Sequence, residues 1–405
     1  MAFPVSIESV RAAEARIAPY IRKTPLLPFD PLTGRDGRQT WMKCELFQTT
    51  GSFKLRGATN CILQNLDQAK QKGVVAASAG NHAQGVAAIC NKLGIRATIV
   101  MPKATQPIKV KNTQDWGARV ELIGTVYDES FEHALAISQR EGSLLVHPFR
   151  DPHVMAGQGT VALELAAEKE FAQMDAVVIA IGGGGLISGC ASVLKTLKPG
   201  IKVYGVTAKH APSLYKSFKA KKIVEGDVQH TLADTIATKK ADAKMLEGVL
   251  SCVDDVFSIS EEMIAHAIAL LAEKSKLVVE GAGAIGIAAL LENLVPEKNV
   301  GVILCGGNID LVSFSHVLER GLVEQGRLVR LSVTAVDRPG GLLQLTEILA
   351  KGEANILQVF HQRTTLDTAV GETKIELQLE TKGTEHTQEI LHSLTARGLR
   401  VERLQ

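Results

Sequence analysis

Aromatic residues make up only 4% of the 405-residue chain, too few to supply the base-stacking surfaces of a nucleic-acid binder. Neither sign of charge dominates. The 45 Lys and Arg against 43 Asp and Glu leave a formal +2, which gives no electrostatic footprint for nucleic acid or an anionic membrane. Six cysteines, Cys44, Cys61, Cys90, Cys190, Cys252 and Cys305, include no CxxC pair and are too sparse for a disulfide scaffold. Without HExxH or a Cys-Cys-His-His spacing, no protein-built metal site is expected. No apolar run approaches the ~20 residues of a membrane span. Met1–Glu8 lacks the basic and apolar stretches of a signal peptide. A soluble, cytoplasmic protein is expected.

Glycine is abundant instead, with 36 residues, and 45% of the chain is apolar, enough for at least one large core. Between residues 74 and 310, short β-branched runs alternate with amphipathic stretches. Val74–Ala77, Ala97–Met101, Arg119–Ile123, Ala176–Ile181, Lys202–Val206 and Val300–Cys305 read as strands. Gln84–Leu93, Tyr127–Arg140, Thr160–Lys169, Ser188–Leu197 and Ala282–Asn293 read as helices. This is the pattern of an α/β fold with mainly parallel sheets flanked by helices. After residue 323 it changes. Leu328–Val336, Ile356–Gln362, Thr373–Glu380 and Leu399–Leu404 read as strands, with helices over Gly340–Lys351 and His386–Arg397. The order βαββαβ is that of a ferredoxin-like module. Two domains follow, residues 1–323 and 328–405.

Four constellations carry chemistry. Gly182-Gly183-Gly184-Gly185-Leu186 follows a buried strand and opens a helix, so its backbone N–H groups form a phosphate cradle. The dinucleotide fingerprint and the Walker pattern both fail here, which leaves a mononucleotide or a phosphorylated cofactor. In Ser52-Phe53-Lys54-Leu55-Arg56-Gly57 the apolar neighbours of Lys54 would desolvate its amine and lower its pKa, as a nucleophilic lysine requires. Taken alone, such a lysine more often rests its stem on apolar surface and keeps its charge in water. Ser78-Ala79-Gly80-Asn81-His82 is a strand-to-helix turn whose amides can take a carboxylate. Cys305-Gly306-Gly307-Asn308 ends an apolar strand, where open α/β sheets bind ligands.

In this order these motifs, with His147-Pro148-Phe149 and Ala156-Gly157-Gln158-Gly159-Thr160, closely resemble the pyridoxal-phosphate enzymes of the tryptophan-synthase-β fold type (fold type II), and among them the threonine dehydratases. Val333–Leu342 resembles the first strand and ligand loop of an ACT domain. The resemblance implies that Lys54 holds pyridoxal 5'-phosphate covalently, with Phe53 against the ring. It implies that Gly182, Gly183, Gly184, Gly185 and Leu186 cradle the phosphate, that Asn81 bonds the ring hydroxyl, and that Cys305 faces the pyridine nitrogen. Ser78, Asn81 and His82 would bind the substrate carboxylate. The freed Lys54 amine would take the α-proton of L-threonine, and loss of the β-hydroxyl would lead to 2-oxobutanoate and ammonia. Serine racemases of this fold carry a second serine where this chain has Ala79, so racemisation is disfavoured.

Two positions depart from the family. Thr207 stands where many relatives have a glutamate that binds a structural cation, so that site is expected to be lost or rebuilt. Thr235 replaces a usual glycine and narrows the pocket. Glu280, in Glu280-Gly281-Ala282-Gly283, is placed near the cofactor without a step of its own. The ACT resemblance implies an amino-acid effector, such as isoleucine, held by Asp337, Arg338, Gly340, Leu342 and Asn355 between paired domains of a dimer or tetramer. Rival readings are an ammonia-lyase of serine or another hydroxy amino acid, and a catalytically silent amino-acid sensor.

Overall fold

Ala176-Val177-Val178-Ile179-Ala180 is buried at every position, as a continuous apolar run must be when helices cover both faces of its sheet. In the computed structural model, which describes residues 4–32, 37–363 and 369–404, this run is one strand of three sheets. In chain order the strands are β1 Leu26–Pro28, β2 Gln39–Cys44, β3 Val74–Ala77, β4 Ala97–Met101, β5 Arg119–Leu122, β6 Leu144–Leu145 and β7 Ala176–Ala180. Then follow β8 Lys202–Ala208, β9 Asp255–Ile259, β10 Asn299–Leu304, β11 Leu328–Val336, β12 Asn355–Gln362, β13 Glu372–Glu380 and β14 Arg400–Arg403.

The chain divides into two compact units, Met1–Ile309 and Asp310–Gln405. The first holds a six-stranded sheet, β1-β2-β10-β7-β8-β9, and a four-stranded sheet, β5-β4-β3-β6. Only β1 pairs antiparallel; every other pairing in both sheets is parallel. Each sheet anchors one lobe, as the resemblance to fold type II implies, and both are mainly parallel, as the alternating pattern implies.

Three helices bring the site together by near-contact of their backbones. Helix Pro152–Ala166 begins well before the Thr160 start read from the sequence. Asp151 caps it, accepting from the N–H groups of His153 at 2.7 Å and Val154 at 3.2 Å, and Pro152 occupies the first turn. Its small residues then let neighbours approach. A Cβ on Gly157 would lie 2.6 Å from the Arg56 carbonyl oxygen, and one on Gly189 would lie 2.3 Å from that of Met155. Helices Lys54–Gln64 and Gly185–Leu197 are thereby braced against one common partner.

A buried ionic cluster locks the first of these helices. Arg56, with no exposed surface, donates to Glu45 Oε2 at 2.7 Å and Oε1 at 2.8 Å, and to Glu164 Oε1 at 2.7 Å. Lys43, on β2, reaches Glu164 Oε2 at 2.6 Å, and Thr24 donates to Glu45. Two cations and two anions cancel. Burial works against the charge on Glu164, but Arg56 and Lys43 prevail and hold its carboxyl below the usual range. A single lysine inside an apolar strand hides β2 from a pattern reading; its partner lies 121 residues away.

The second unit is an antiparallel sheet, β12-β13-β11-β14, in the ferredoxin-like order. On β13, Thr373, Ile375, Leu377 and Leu379 are buried and alternate with half-buried neighbours. Helix Leu311–Glu324 belongs to this unit, so the unit begins earlier than residue 328. The helix buries Val317 and Gly321, and Glu319 accepts from Gln378 of β13 at 3.3 Å. No helix among the described residues is long and apolar enough to cross a membrane.

Replacing Arg56 with Ala strands Glu45 as an uncompensated buried charge and leaves Lys43 alone to face two carboxylates. The expected loss is about 3–5 kcal/mol of unfolding free energy, measured by urea denaturation; a change below about 1 kcal/mol would mean the cluster is not holding the helix.

Candidate active site

Parallel pairing of β10 with β7 puts the ends of both strands side by side. Cys305 follows one and the glycine run follows the other. The Lys54 loop is stapled to the end of β10. Phe53 N–H donates to the Cys305 carbonyl at 3.1 Å, Gly307 N–H to that of Gly51 at 2.9 Å, and Ser52 forms an isolated bridge with Gly306. One pocket is therefore lined by Phe53, Lys54, Asn81, Gly182, Gly183, Gly184, Gly185, Leu186 and Cys305, every cofactor position read from the sequence. Phe149, Ala180, Thr235, Ile236 and Glu280 complete it.

Desolvation sets the protonation states here. Lys54 is half-buried, with its amine donating to the Pro148 carbonyl at 3.2 Å and 5.1 Å from the centre of the Phe53 ring. Burial pulls the amine down to about 8, against the opposing pull of Cys305 and Glu280. The Cys305 thiol is driven well above its ordinary value by burial and then by Glu280, so it stays protonated. Burial and the nearby Asp234 push the Glu280 carboxyl up to about 7. His82 is brought down to about 3 and His147 to about 4, both chiefly by burial. His82 is thus neutral, with Nε2 donating to the Val146 carbonyl at 2.9 Å.

The glycine run is shaped by packing as well as by anything it binds. Gly184 has φ +92°, a conformation that favours glycine. A Cβ on Gly183 would strike the Phe149 ring at 2.3 Å. Helix Gly185–Leu197 has no side-chain cap, so its first N–H groups are available at the pocket. Glu280 Oε2 is buried in the pocket wall without a hydrogen-bond partner. Uncapped amides for a phosphate, a lowered-pKa amine for an aldehyde, an Asn81 N–H for a hydroxyl and a neutral thiol for a ring nitrogen together fit pyridoxal phosphate.

Ser78 and His82 are not among the lining residues. Ser78 is half-buried just past β3, where its hydroxyl accepts from Gly80 N–H at 3.2 Å. His82 is buried in the first turn of helix Asn81–Leu93. Thr235 does stand in the pocket wall, and its methyl lies 3.7 Å from where a Gly80 Cβ would be. Beside it, Asp234 pairs at 2.5 Å with Lys109 of helix Pro107–Asp115, which packs on the four-stranded lobe. Phe149, which the sequence offers only as the end of His147-Pro148-Phe149, is placed by the space that Gly183 leaves for its ring. Thr207 is buried and donates to the Phe257 carbonyl at 3.3 Å. Among the described residues no group of three or more His, Cys, Asp or Glu could hold a metal ion.

In the second unit, a groove of about 760 Å³ is lined by Arg338, Gly341, Gln344, Glu347, Arg397 and Arg400, among others. Arg338 donates to Gln344 at 3.4 Å. Asp337, Gly340, Leu342 and Asn355 lie outside the groove's lining. Asp337 pairs with Arg363 at 3.3 Å, and Asn355 donates to Glu380 at 3.0 Å. The five proposed effector residues are not gathered into one cavity.

A family model described as pyridoxal-phosphate dependent enzyme matches residues 17–306. The L-threonine ammonia-lyase of Thermotoga maritima is 42% identical, over 98% of this chain and 99% of its own length. The crystal structure of a threonine deaminase from T.th. superposes with a TM-score of 0.70 at 38% identity, covering 76% of this chain and 99% of that one. Maize serine racemase superposes with a TM-score of 0.73 at 33% identity, covering 80% and 100%.

Only a neutral amine attacks an aldehyde. Capture of pyridoxal by the cofactor-free protein at Lys54, followed by mass spectrometry, should rise with pH through a midpoint near 8, well below the ~10.4 of an ordinary lysine. A midpoint above about 10 would show the amine to be solvated.

Proposed function

The chain belongs to the pyridoxal-phosphate dependent enzymes, and from that membership we propose that it converts L-threonine to 2-oxobutanoate and ammonia under control of an amino acid bound by its C-terminal unit. The observation that carries the reaction is a desolvated lysine amine facing the same pocket as an uncapped, glycine-opened helix. The name L-threonine ammonia-lyase borne by a relative 42% identical over nearly the whole chain supports threonine as the substrate.

When bound, pyridoxal phosphate supplies the electron sink for negative charge at the substrate α-carbon. Lys54 would hold the cofactor, and the N–H groups from Gly182 to Leu186 would take its phosphate. Cys305, kept protonated, offers the ring nitrogen only a weak partner where a carboxylate would hold a proton there, which suits prompt loss of a β-substituent. The Lys54 amine, lowered to about 8, removes the α-proton as a general base near neutral pH. The first N–H groups of helix Asn81–Leu93 orient the substrate carboxylate. Phe53 and Phe149 wall the pocket against water. Ala79, which has no transferable proton, cannot return one from the face opposite Lys54.

Thr235 favours a second reading. Its methyl narrows the pocket toward a smaller hydroxy amino acid such as L-serine. One methyl is worth only ~1–3 kcal/mol, so the two readings differ in the ratio of kcat/KM for the two substrates.

The purified protein should be yellow and release keto acid and ammonia from L-threonine, with kcat/KM higher than for L-serine. Lys54→Ala should be inactive and lack the absorption. A colourless protein, unchanged by that substitution, would defeat the reading. For the C-terminal unit, L-isoleucine should bind and lower the rate. Calorimetry showing no binding, together with an unaltered rate, would remove the regulatory assignment while leaving the catalytic one.

A further inference from the structure

A carboxamide offers one acceptor oxygen and two N–H donors, and its neighbours decide which way round it sits. At Asn81 they decide fully. Asn308 Nδ2 donates to Asn81 Oδ1 at 2.7 Å and to the Thr50 carbonyl at 2.8 Å, which uses both of its N–H groups. Asn81 Nδ2 donates to Glu280 Oε1 at 2.8 Å. One Asn81 N–H is left over, on a side chain that lines the pocket. Turned the other way, Asn81 would set its oxygen against Glu280 Oε1 and its NH₂ against the NH₂ of Asn308. Such buried mismatches cost more than an ordinary hydrogen bond gains.

Asn308 is itself held in place. Gly51, at φ +72°, leaves room for it: a Cβ there would lie 2.3 Å from Asn308 Oδ1. The Gly307 N–H ties the same stretch to Gly51. Asn308 is not among the pocket-lining residues, so it can act on a bound molecule only through Asn81.

We propose that Asn308 is a positioning residue of this site: by donating to Asn81 Oδ1 it orients the amide and commits the remaining Asn81 N–H to the ring oxygen of the cofactor. This rests on the reading of the pocket as a pyridoxal-phosphate site. The chain runs from the Thr50 carbonyl through Asn308 and Asn81 to Glu280. It links the Lys54 loop, the loop after β10 and the start of two helices, so one change should register at a distance from where it is made.

The test compares Asn308→Asp, Asn308→Ala, Asn81→Ala and the double variant Asn308→Ala/Asn81→Ala with wild type. The readouts are the visible absorption maximum of the bound cofactor, its dissociation constant after dialysis, and kcat and KM for L-threonine. Asn308→Asp keeps the shape but sets acceptors against the Thr50 carbonyl and Asn81 Oδ1. It decides the matter if the alanine variant fails to fold. Each single variant should still bind cofactor through Lys54, with a shifted absorption maximum and cofactor affinity weakened up to about tenfold, the worth of one hydrogen bond. The loss should fall on kcat more than on KM. The double variant should be no worse than Asn81→Ala alone. A coloured wild type whose spectrum and cofactor affinity survive Asn308→Asp unchanged, or losses that add in the double variant, would overturn this inference alone. A colourless wild type would overturn it together with the cofactor reading beneath it.

Discussion

Parallel pairing of β10 with β7 is the constraint on which the site depends. Parallel strands deliver their C-terminal ends to one side of a sheet, and here those ends release Cys305 and the glycine run next to each other. The Lys54 loop arrives from far along the chain and is pinned to β10 by main-chain hydrogen bonds, which no substitution of side chains at those positions removes directly. The chemistry is therefore carried on backbone that the sheet fixes. The glycines at helix crossings, Gly157 and Gly189, then let three helices close around it without intervening side chains.

Desolvation, rather than charge pairing, sets what the site's groups can do. The same burial that lowers the Lys54 amine raises the Glu280 carboxyl and the Cys305 thiol and keeps His82 neutral. A pocket so poor in fixed charge offers an anion backbone N–H groups and keeps an amine able to move a proton. The strong charges lie elsewhere, in the cancelled cluster of Arg56, Lys43, Glu45 and Glu164. That cluster holds the helix that begins with Lys54.

Much of this was legible in the chain itself. Runs such as Val74–Ala77, Ala97–Met101 and Leu328–Val336 become strands with those bounds because burial and alternation are local properties. Cys305 and the glycine run stand out because each follows an apolar strand, and Lys54 because it sits between two apolar neighbours. What stayed hidden depends on distant partners. Lys43 makes β2 look polar until Glu164 is beside it. The start of helix Pro152–Ala166 depends on a cap that the apolar spacing does not reveal. Phe149 and Asn308 each end a motif visible in the sequence, but their contacts exist only against Gly183 and Asn81. Helix Leu311–Glu324, which the alternation read between residues 74 and 310 does not include, falls in the second compact unit.

The ion pair between Lys109 and Asp234 has an energetic consequence. Its side chains are 30% and 55% exposed, and a bridge so wetted contributes at most about 1 kcal/mol, close to thermal energy. It fastens the four-stranded lobe to the turn bearing Thr235 and Ile236, yet lightly enough to part and re-form while the helical braces behind it stay intact. Salt screens such a pair, so this fastening weakens as the ionic strength of the surroundings rises.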